Sequence, residues 1–290
     1  MKIDKSVLKW DRLTEIPVDS LNIVREQLHH AVQLIAAAGK YLVPEQPDDS
    51  HTTLDWNTEL NSFEGKMIMG KNPLRIGFQP SDFSYYTRID DNDVSQQYKL
   101  LNNTMDQAFF WLRGQLENFS IDVSELSLKM HYEIPSKIIT SDYVFETINP
   151  GEIEQFCRYF ANAHFLLNEI RQLLPDASEV RCWPHHFDIA TLYTIDKDRS
   201  AEDARSIGIG FAPGDEGYEE PYFYLTPWPY PELEKIALPN LAAGSWHTQD
   251  WVGAILKASD IYPSNDQASL VTEFINSSVP ACASLLNHHF

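Results

Sequence analysis

The sequence predicts an α+β fold made of two tandem, pseudo-symmetric units, each a small, mainly antiparallel sheet backed by helices. Segments with helical and strand periodicity follow one another in the same order in both halves of the 290 residues. Two motifs also recur at a constant spacing of 133 residues. Leu54-Asp55 matches Phe187-Asp188, and the Ile-Gly-Phe motif at 76–78 matches the one at 209–211. Collinear matches of this kind indicate a duplicated supersecondary unit.

A change in this spacing predicts an insertion in the second unit. Three further pairs share a spacing of 140 residues, namely Trp111 with Trp251, Leu116 with Leu256, and Ile121 with Ile261. The spacing therefore grows by seven residues, which we assign to the acidic stretch 214–220. We predict the first unit over residues 1–140 and the second, with the acidic loop and a C-terminal helix, over residues 141–290. We expect the two to form one compact body.

The first unit is predicted to begin with a helix over residues 20–38, where apolar residues recur at three-to-four spacing. Asp19 or Ser20 is expected to cap its start, and Gly39 its end. The remaining elements are strands at 51–60, 66–78, 83–89 and 124–133, and a helix at 102–119. The polar turn Asp90–Asp93 closes the third strand.

The second unit is predicted to repeat this order after a connection at about 135–151. Its expected elements are helices at 151–174, 247–258 and 266–286, and strands at 179–195, 204–212 and 221–227. The first of these helices carries an aromatic face, and the last carries an apolar one.

Charge and composition narrow the possible partners. The chain has 42 acidic and 22 basic residues, which give a formal net charge of −20. This charge repels a phosphate backbone and an anionic lipid surface. We therefore expect no nucleic-acid partner and no membrane partner, but a preference for cationic or neutral polar molecules. The oligomeric state is left open.

The cysteines indicate the compartment. Cys157, Cys182 and Cys282 are odd in number, far apart and without a CxxC pair, so neither a disulfide framework nor a cysteine-rich zinc site is expected. A reducing cytoplasm suits such a chain. No targeting or membrane-spanning segment is predicted. The glycines of 208–214 lack the spacing of a dinucleotide loop, and we predict no cofactor.

The densest group of chemically capable side chains lies in the stretch 183–188. On a strand, His186 and Asp188 would share one face, because successive side chains alternate. Such a pair can bind a metal, with His185 as a further candidate ligand, or serve as a general base with its orienting carboxylate. His247 or the acidic loop can supply a third group. The candidates for catalysis are therefore His186, Asp188 and His247, and those for a metal are His185, His186 and Asp188.

A structural role for Asp188 is the alternative interpretation. The first unit has a carboxylate at the equivalent position, Asp55, but threonines in place of the two histidines. A carboxylate present in both copies is simply explained by folding, for instance as an acceptor of backbone hydrogen bonds.

The acidic loop is followed by an aromatic and proline-rich stretch at 221–231. Exposed rings beside carboxylates suit a cation or a flat polar ligand. The predicted ligand-binding residues share one of these two chemistries, and they are Asp215, Glu216, Glu219, Glu220, Tyr222, Tyr224 and Trp228. We expect them to border the principal pocket. A core strand preceded by a solvated acidic hairpin is the alternative.

Four short motifs occur in an order that resembles a known family. They are a Leu28-His29 helix running into Gly39-Lys40, a strand Phe187-Asp188-Ile189-Ala190, a turn Gly210-Phe211-Ala212-Pro213-Gly214, and a strand Phe223-Tyr224-Leu225-Thr226-Pro227. In this order, almost end to end, the chain resembles an uncharacterised bacterial family, domain of unknown function 5996. The resemblance implies a soluble cytoplasmic protein and supplies no activity. The chain departs from the family pattern at His185-His186, where the family has Gly-Ser.

Together these features predict a cytoplasmic protein that binds a small polar or cationic ligand at an acidic, aromatic-lined site in the second unit. A metal-dependent, hydrolase-like enzyme is the first alternative. A structural or interaction protein without a pocket is the second.

Overall fold

The structure is a computed structural model that describes residues 2–89, 94–134, 142–200 and 203–288. The chain divides into two compact units. The N-terminal unit contains Pro17–Cys157 and Arg181–Phe187, and the C-terminal unit contains Met1–Ile16, Arg158–Val180 and Asp188–Phe290. The predicted repeat boundary between residues 140 and 141 stays a prediction. The predicted turn at Asp90–Asp93 and residues 135–141 of the predicted connection lie outside the described residues.

The N-terminal unit consists of an antiparallel sheet backed by helices. Its helices are α1 (Val18–Leu42) and α2 (Met105–Asn118), and its strands are β1 (Asp55–Asn57), β2 (Ser62–Glu64), β3 (Leu74–Gln79), β4 (Ser84–Ile89), β5 (Val94–Lys99) and β6 (Arg181–Trp183). The first five strands are neighbours in sequence order. β6 meets the segment before β1 through a bridge between Cys182 and Leu54. Helix α1 packs against β3 and α2.

The C-terminal unit has the same architecture with a different strand order. It holds most of α3 (Pro150–Leu173) and all of β7 (Asp188–Thr194), β8 (Ser206–Ala212), β9 (Tyr222–Trp228), β10 (Ser245–His247), β11 (Gly253–Lys257), α4 (Ala258–Ile261) and α5 (Gln267–Leu285). The strands lie in the order β10-β11-β9-β8-β7, all antiparallel. The predicted α+β class, with two antiparallel sheets backed by helices, is confirmed.

Strand alternation gives the C-terminal sheet one core face and one polar face. Ile209 and Phe211 of β8 and Phe223 and Leu225 of β9 are buried, and α5 packs against β8, β9 and β11. The residues between them in sequence point to the other face of the sheet, because the side-chain period of a strand is two. That other face carries the candidate site.

Both sheets contain a tyrosine that lies across a glycine and reaches a carboxylate. In the N-terminal unit Tyr86 of β4 pairs with Gly77 of β3, and its hydroxyl donates to Glu64 of β2 over 2.7 Å. In the C-terminal unit Tyr224 of β9 pairs with Gly210 of β8. Its hydroxyl donates to Asp188 of β7.

The glycines make these crossings possible. A Cβ at Gly77 would lie 2.1 Å from the Tyr86 ring, and one at Gly210 would lie 2.5 Å from the Tyr224 hydroxyl. Both distances are far below van der Waals contact. The two glycines are one of the pairs matched at a spacing of 133 residues, and the other upstream pair, Asp55 and Asp188, consists of the first residues of β1 and β7. The glycine pair therefore lies on corresponding strands, but the aspartate pair does not, because β7 is the neighbour of β8 whereas β1 is separated from β3 by β2. The predicted equivalence of Asp55 and Asp188 is wrong, since Glu64 of β2 accepts the tyrosine hydroxyl in the N-terminal unit.

The downstream part of the predicted duplication is wrong. Trp111 and Leu116 lie on helix α2, whereas Leu256 lies on strand β11 and Trp251 lies two residues before that strand begins. The predicted helix at 247–258 is instead the end of β10, a loop and β11. A short apolar run such as 252–256 has no periodicity that separates helix from strand, and its pairing with β9 decides the outcome.

Two other predicted elements differ in detail from the structure. Helix α1 begins at Val18 with Pro17 as its N-cap residue, so neither Asp19 nor Ser20 caps it, and it continues past Gly39 to Leu42. The segment 124–133 consists of turns and irregular chain, not a strand. No described helix combines the length and the apolar character that a membrane crossing requires.

Candidate functional site

The candidate site lies on the polar face of the C-terminal sheet, around strand β9. Tyr222 and Tyr224 point to this face, where their strand neighbours are Ala212 of β8 and Ile255 of β11. Tyr222 is buried and Tyr224 is half-buried. Their ring centroids are 6.2 Å apart, so the two rings form a short aromatic ladder along one strand.

The acidic loop folds back onto this ladder through Asp215. The Tyr222 hydroxyl donates to Asp215 Oδ2 over 2.5 Å. The other carboxylate oxygen, Oδ1, accepts from the backbone N–H groups of Gly217 at 2.7 Å and Tyr218 at 2.8 Å. These three hydrogen bonds give the loop a defined turn. Burial, reinforced by Asp215, raises the pKa of Tyr222 well above its usual range, so its hydroxyl remains a donor.

Tyr218 extends the aromatic surface to strand β10. Its hydroxyl is 2.7 Å from Nδ1 of His247, and its ring centroid is 5.1 Å from that of Tyr222. The other ring nitrogen of His247, Nε2, bonds the carbonyl of Gln249. A carbonyl can only accept, so Nε2 carries a hydrogen, and in that tautomer Nδ1 accepts a hydrogen bond from the Tyr218 hydroxyl.

Trp251 completes the cluster. Its indole stacks on His247 with centroids 4.3 Å apart at 30°, and it packs against the buried group that contains Tyr222 and Ile255. We call Asp188, Asp215, Tyr218, Tyr222, Tyr224, His247 and Trp251 the tyrosine–carboxylate cluster. Tyr218, Tyr224, His247, Trp251 and Asp188 are each half-buried.

The remaining loop carboxylates differ in their surroundings. Glu220 lies 3.2 Å from the Lys257 ammonium and accepts from the Ser259 amide at 2.8 Å. Burial alone would raise the pKa of Glu220, but these hydrogen bonds outweigh it and lower the pKa. Glu216 and Glu219 are exposed. Glu220 therefore has a structural role in the loop, whereas the carboxylates of Glu216 and Glu219 are exposed to solvent.

The predicted residues separate into two groups. Asp188, Asp215, Tyr222, Tyr224 and His247 come together in the cluster. Trp228 lies at the opposite end of β9, 42% exposed, with its ring against Tyr230.

His185 and His186 belong to the N-terminal unit. They lie in a turn at 184–187 and not on a strand, so the expectation that His186 and Asp188 share a strand face is wrong. The turn is possible because Phe187 adopts a left-handed backbone, with φ of 58°. Burial lowers the pKa of His185 to about 4. Its ring lies 5.7 Å from that of Tyr132.

Two residues of the cluster were absent from the sequence-based site. Tyr218 lies inside the acidic stretch, and its position between Asp215 and Tyr222 was the available signal. Trp251 was assigned only to the repeat. Gly253 was a further signal. The Trp251 ring packs over this glycine, and a Cβ added to Gly253 would lie 2.3 Å from that ring. An aromatic residue two positions from a strand glycine suits such a contact.

No group of three or more His, Cys, Asp or Glu side chains among the described residues is placed to hold a metal ion. The candidate metal ligands His185, His186 and Asp188 stay a prediction. The expectation that the predicted ligand-binding residues border the principal pocket is wrong. Three pockets found among the described residues are lined by other side chains: one lies in the N-terminal unit, and two lie beside the N-terminal segment of the C-terminal unit. The cluster, whose side chains range from buried Tyr222 to exposed Asp215, is thus distinct from these pockets.

The fold and the cluster define an α+β protein with a tyrosine-rich polar sheet face. Residues 13–289 match the family of unknown function DUF5996. The chain belongs to that family, as its motifs indicated. No curated protein matches the chain, and no solved structure matches it.

Proposed function

We propose that this protein binds a small polar or cationic ligand at the tyrosine–carboxylate cluster. The observation that carries the proposal is the meeting of the acidic loop and the aromatic strand through the Tyr222–Asp215 hydrogen bond. This bond sets a carboxylate against the edge of an aromatic surface. A bound cation would be stabilised by the carboxylate and by the aromatic surface. Each ring contact contributes about 0.5–2 kcal/mol, and the nearby negative charge favours the approach of the cation.

Local charge supports a cationic ligand over an anionic one. Asp215, Glu216 and Glu219 lie in or next to the cluster, while Lys257, a cation of this region, is engaged by Glu220. A polyamine or an amino sugar provides ammonium groups together with an extended or flat body. The half-buried rings of Tyr218 and Trp251 offer such a body a contact surface.

Calorimetric titration with spermidine at low salt tests the proposal. Asp215→Asn should weaken binding at least about tenfold, because it removes the carboxylate that faces the rings. Asp176→Asn is the matched control, since Asp176 pairs with exposed Lys197 outside the cluster. Equal weakening by both variants would mean that spermidine responds only to net charge, and binding that is unchanged in Asp215→Asn would contradict the proposal.

We also infer a cytoplasmic location and no nucleic-acid or membrane partner. Cys157, Cys182 and Cys282 are free thiols, which suits a reducing compartment. The net charge of −20 opposes binding to phosphate-rich surfaces. Fractionation of cells that produce the protein, followed by detection in the cytosolic fraction, tests the location.

A further inference from the structure

A second candidate binding site lies within the N-terminal unit. A pocket of about 340 Å³ opens between helix α1, the start of α2 and the segments at 128–134 and 143–145. Its volume is about that of eleven water molecules in the liquid, and it falls within the range of about 300–1,000 Å³ of small-molecule sites. The pocket shares no residue with the tyrosine–carboxylate cluster.

Most of the pocket wall is apolar. Met105, Met130 and Phe145 line it together with a leucine and an isoleucine. Methionine side chains adapt to ligands of different shape, and they make favourable contacts with aromatic rings. The wall therefore suits an apolar or aromatic body.

The polar side of the pocket is rich in hydrogen-bond acceptors. The Gln33 amide nitrogen donates to the carbonyls of His29 at 2.9 Å and Pro184 at 2.8 Å. Gln33 Oε1 accepts from the Tyr132 hydroxyl over 2.8 Å. Because these donor hydrogens are already engaged, Gln33 and Tyr132 can offer a ligand only acceptor lone pairs.

His30 adds a polar atom that lacks a partner. Its Nε2 is buried and has no hydrogen-bond partner among the described residues. A buried polar atom without a partner costs about 1–3 kcal/mol. Burial lowers the pKa of His30, so the ring is neutral at pH 7 and one of its nitrogens can accept.

The charge of the pocket selects against anions. Asp106 lines it with an exposed carboxylate, and none of the described residues that line it is a lysine or an arginine. Nearby carboxylates of Glu26 and Glu146, after the larger effect of burial, raise the pKa of the Tyr143 hydroxyl on the same wall. A carboxylate or phosphate ligand would meet repulsion here without a compensating cation.

From this geometry we infer that the pocket binds a small amine with an apolar or aromatic body. The ammonium group lies toward Asp106 and donates to the acceptors of Tyr132 and Gln33. The body of the amine lies against the methionines and Phe145.

Calorimetric titration of the full chain with 2-phenylethylamine tests this inference, with 3-phenylpropionate as an anionic probe of similar size. We expect saturable binding of the amine, and binding of the acid at least about tenfold weaker. Asp106→Asn should weaken amine binding about tenfold or more. Glu117→Gln, an exposed carboxylate on the same helix, should leave it unchanged.

The variant Asp215→Asn separates this pocket from the tyrosine–carboxylate cluster. Amine binding that is kept in Asp215→Asn and lost in Asp106→Asn supports the pocket. The reverse pattern assigns the amine to the cluster and overturns the inference. Absence of amine binding to the wild type, or equal affinity for the acid and the amine, would overturn it as well.

Discussion

Substitution of Gly77 by alanine tests the crossing of a tyrosine over a glycine. The added Cβ would lie 2.1 Å from Cζ and 2.4 Å from the hydroxyl oxygen of Tyr86. Tyr86 is only 1% exposed, so its ring has no solvent space into which it can swing. Its hydroxyl donates to Glu64 over 2.7 Å and accepts from Ser62 over 2.7 Å. The methyl group must therefore displace a buried ring together with its hydrogen bonds.

The expected loss of stability is the sum of two effects. Overpacking of a core costs about 1–3 kcal/mol, and loss of a hydrogen bond to a charged group costs about 1.5–3 kcal/mol. We expect Gly77→Ala to lower the free energy of unfolding by about 2.5–6 kcal/mol, a large share of the total of a typical domain.

Urea denaturation followed by far-UV circular dichroism measures this difference. Gly114→Ala is the matched control: Gly114 lies on helix α2, and apart from its own helix backbone no heavy atom of the described residues lies within 4 Å of an added Cβ. Because alanine has a higher helix propensity than glycine, the free energy of unfolding of this variant should rise by about 0.5–1 kcal/mol. In a Tyr86→Ala background, Gly77→Ala should cost less than about 1 kcal/mol. A loss below about 0.5 kcal/mol for Gly77→Ala alone would refute the reasoning.

Three further predictions concern single side chains. Asp188→Ala removes the acceptor of a tyrosine hydroxyl and should destabilise the ligand-free protein by about 1–2 kcal/mol; unchanged melting together with lost spermidine binding would make Asp188 a purely functional residue. Burial lowers the pKa of His29 to about 3, so its contribution to stability is complete above the unfolded pKa near 6.5 and is lost as the pH falls from there toward 3. His29→Gln should flatten the decline in melting temperature between pH 6.5 and 4, whereas His131→Gln, an exposed histidine, should not. Burial raises the pKa of Cys157 and Cys282 to about 12, so the native protein should resist alkylation by iodoacetamide at pH 8, and the urea-unfolded chain should react.

The elements that were predicted correctly have strong periodicity within their own sequence. Helices α1, α3 and α5 have long amphipathic patterns, and strands β8 and β9 alternate between core residues and residues of the polar face. Strand β5 was missed because its residues Val94–Lys99 are mostly polar and exposed. It is an edge strand that pairs through its backbone, which leaves no apolar alternation to detect.

The candidate site was predictable only where its residues are close in sequence. The loop and strand that hold Asp215 and Tyr222 follow one another directly, so their meeting needed no long-range information. The contacts of Tyr218 with His247 and Trp251 depend on the hairpin of β10 and β11 and on its pairing with β9. Local propensity does not determine such pairing. The turn at 184–187 needed a left-handed phenylalanine, which residue type alone does not suggest.

The two tyrosine crossings differ in a way that favours a binding role for the C-terminal copy. In the N-terminal unit the accepting carboxylate, Glu64, is buried and forms an ion pair with Arg88 at 2.7 Å. Its charge is thereby balanced, so the arrangement serves the stability of the sheet.

In the C-terminal unit both Tyr224 and Asp188 are half-buried. They lie next to a second tyrosine and carboxylate pair, Tyr222 and Asp215. Tyr222 begins strand β9, and Asp215 lies in the loop between β8 and β9. An arrangement that is buried in the N-terminal unit is thus larger and more exposed in the C-terminal unit. If the crossing served folding alone, the C-terminal unit would gain nothing from this added exposure and from the carboxylate of Asp215, whereas a binding site for a cation requires both.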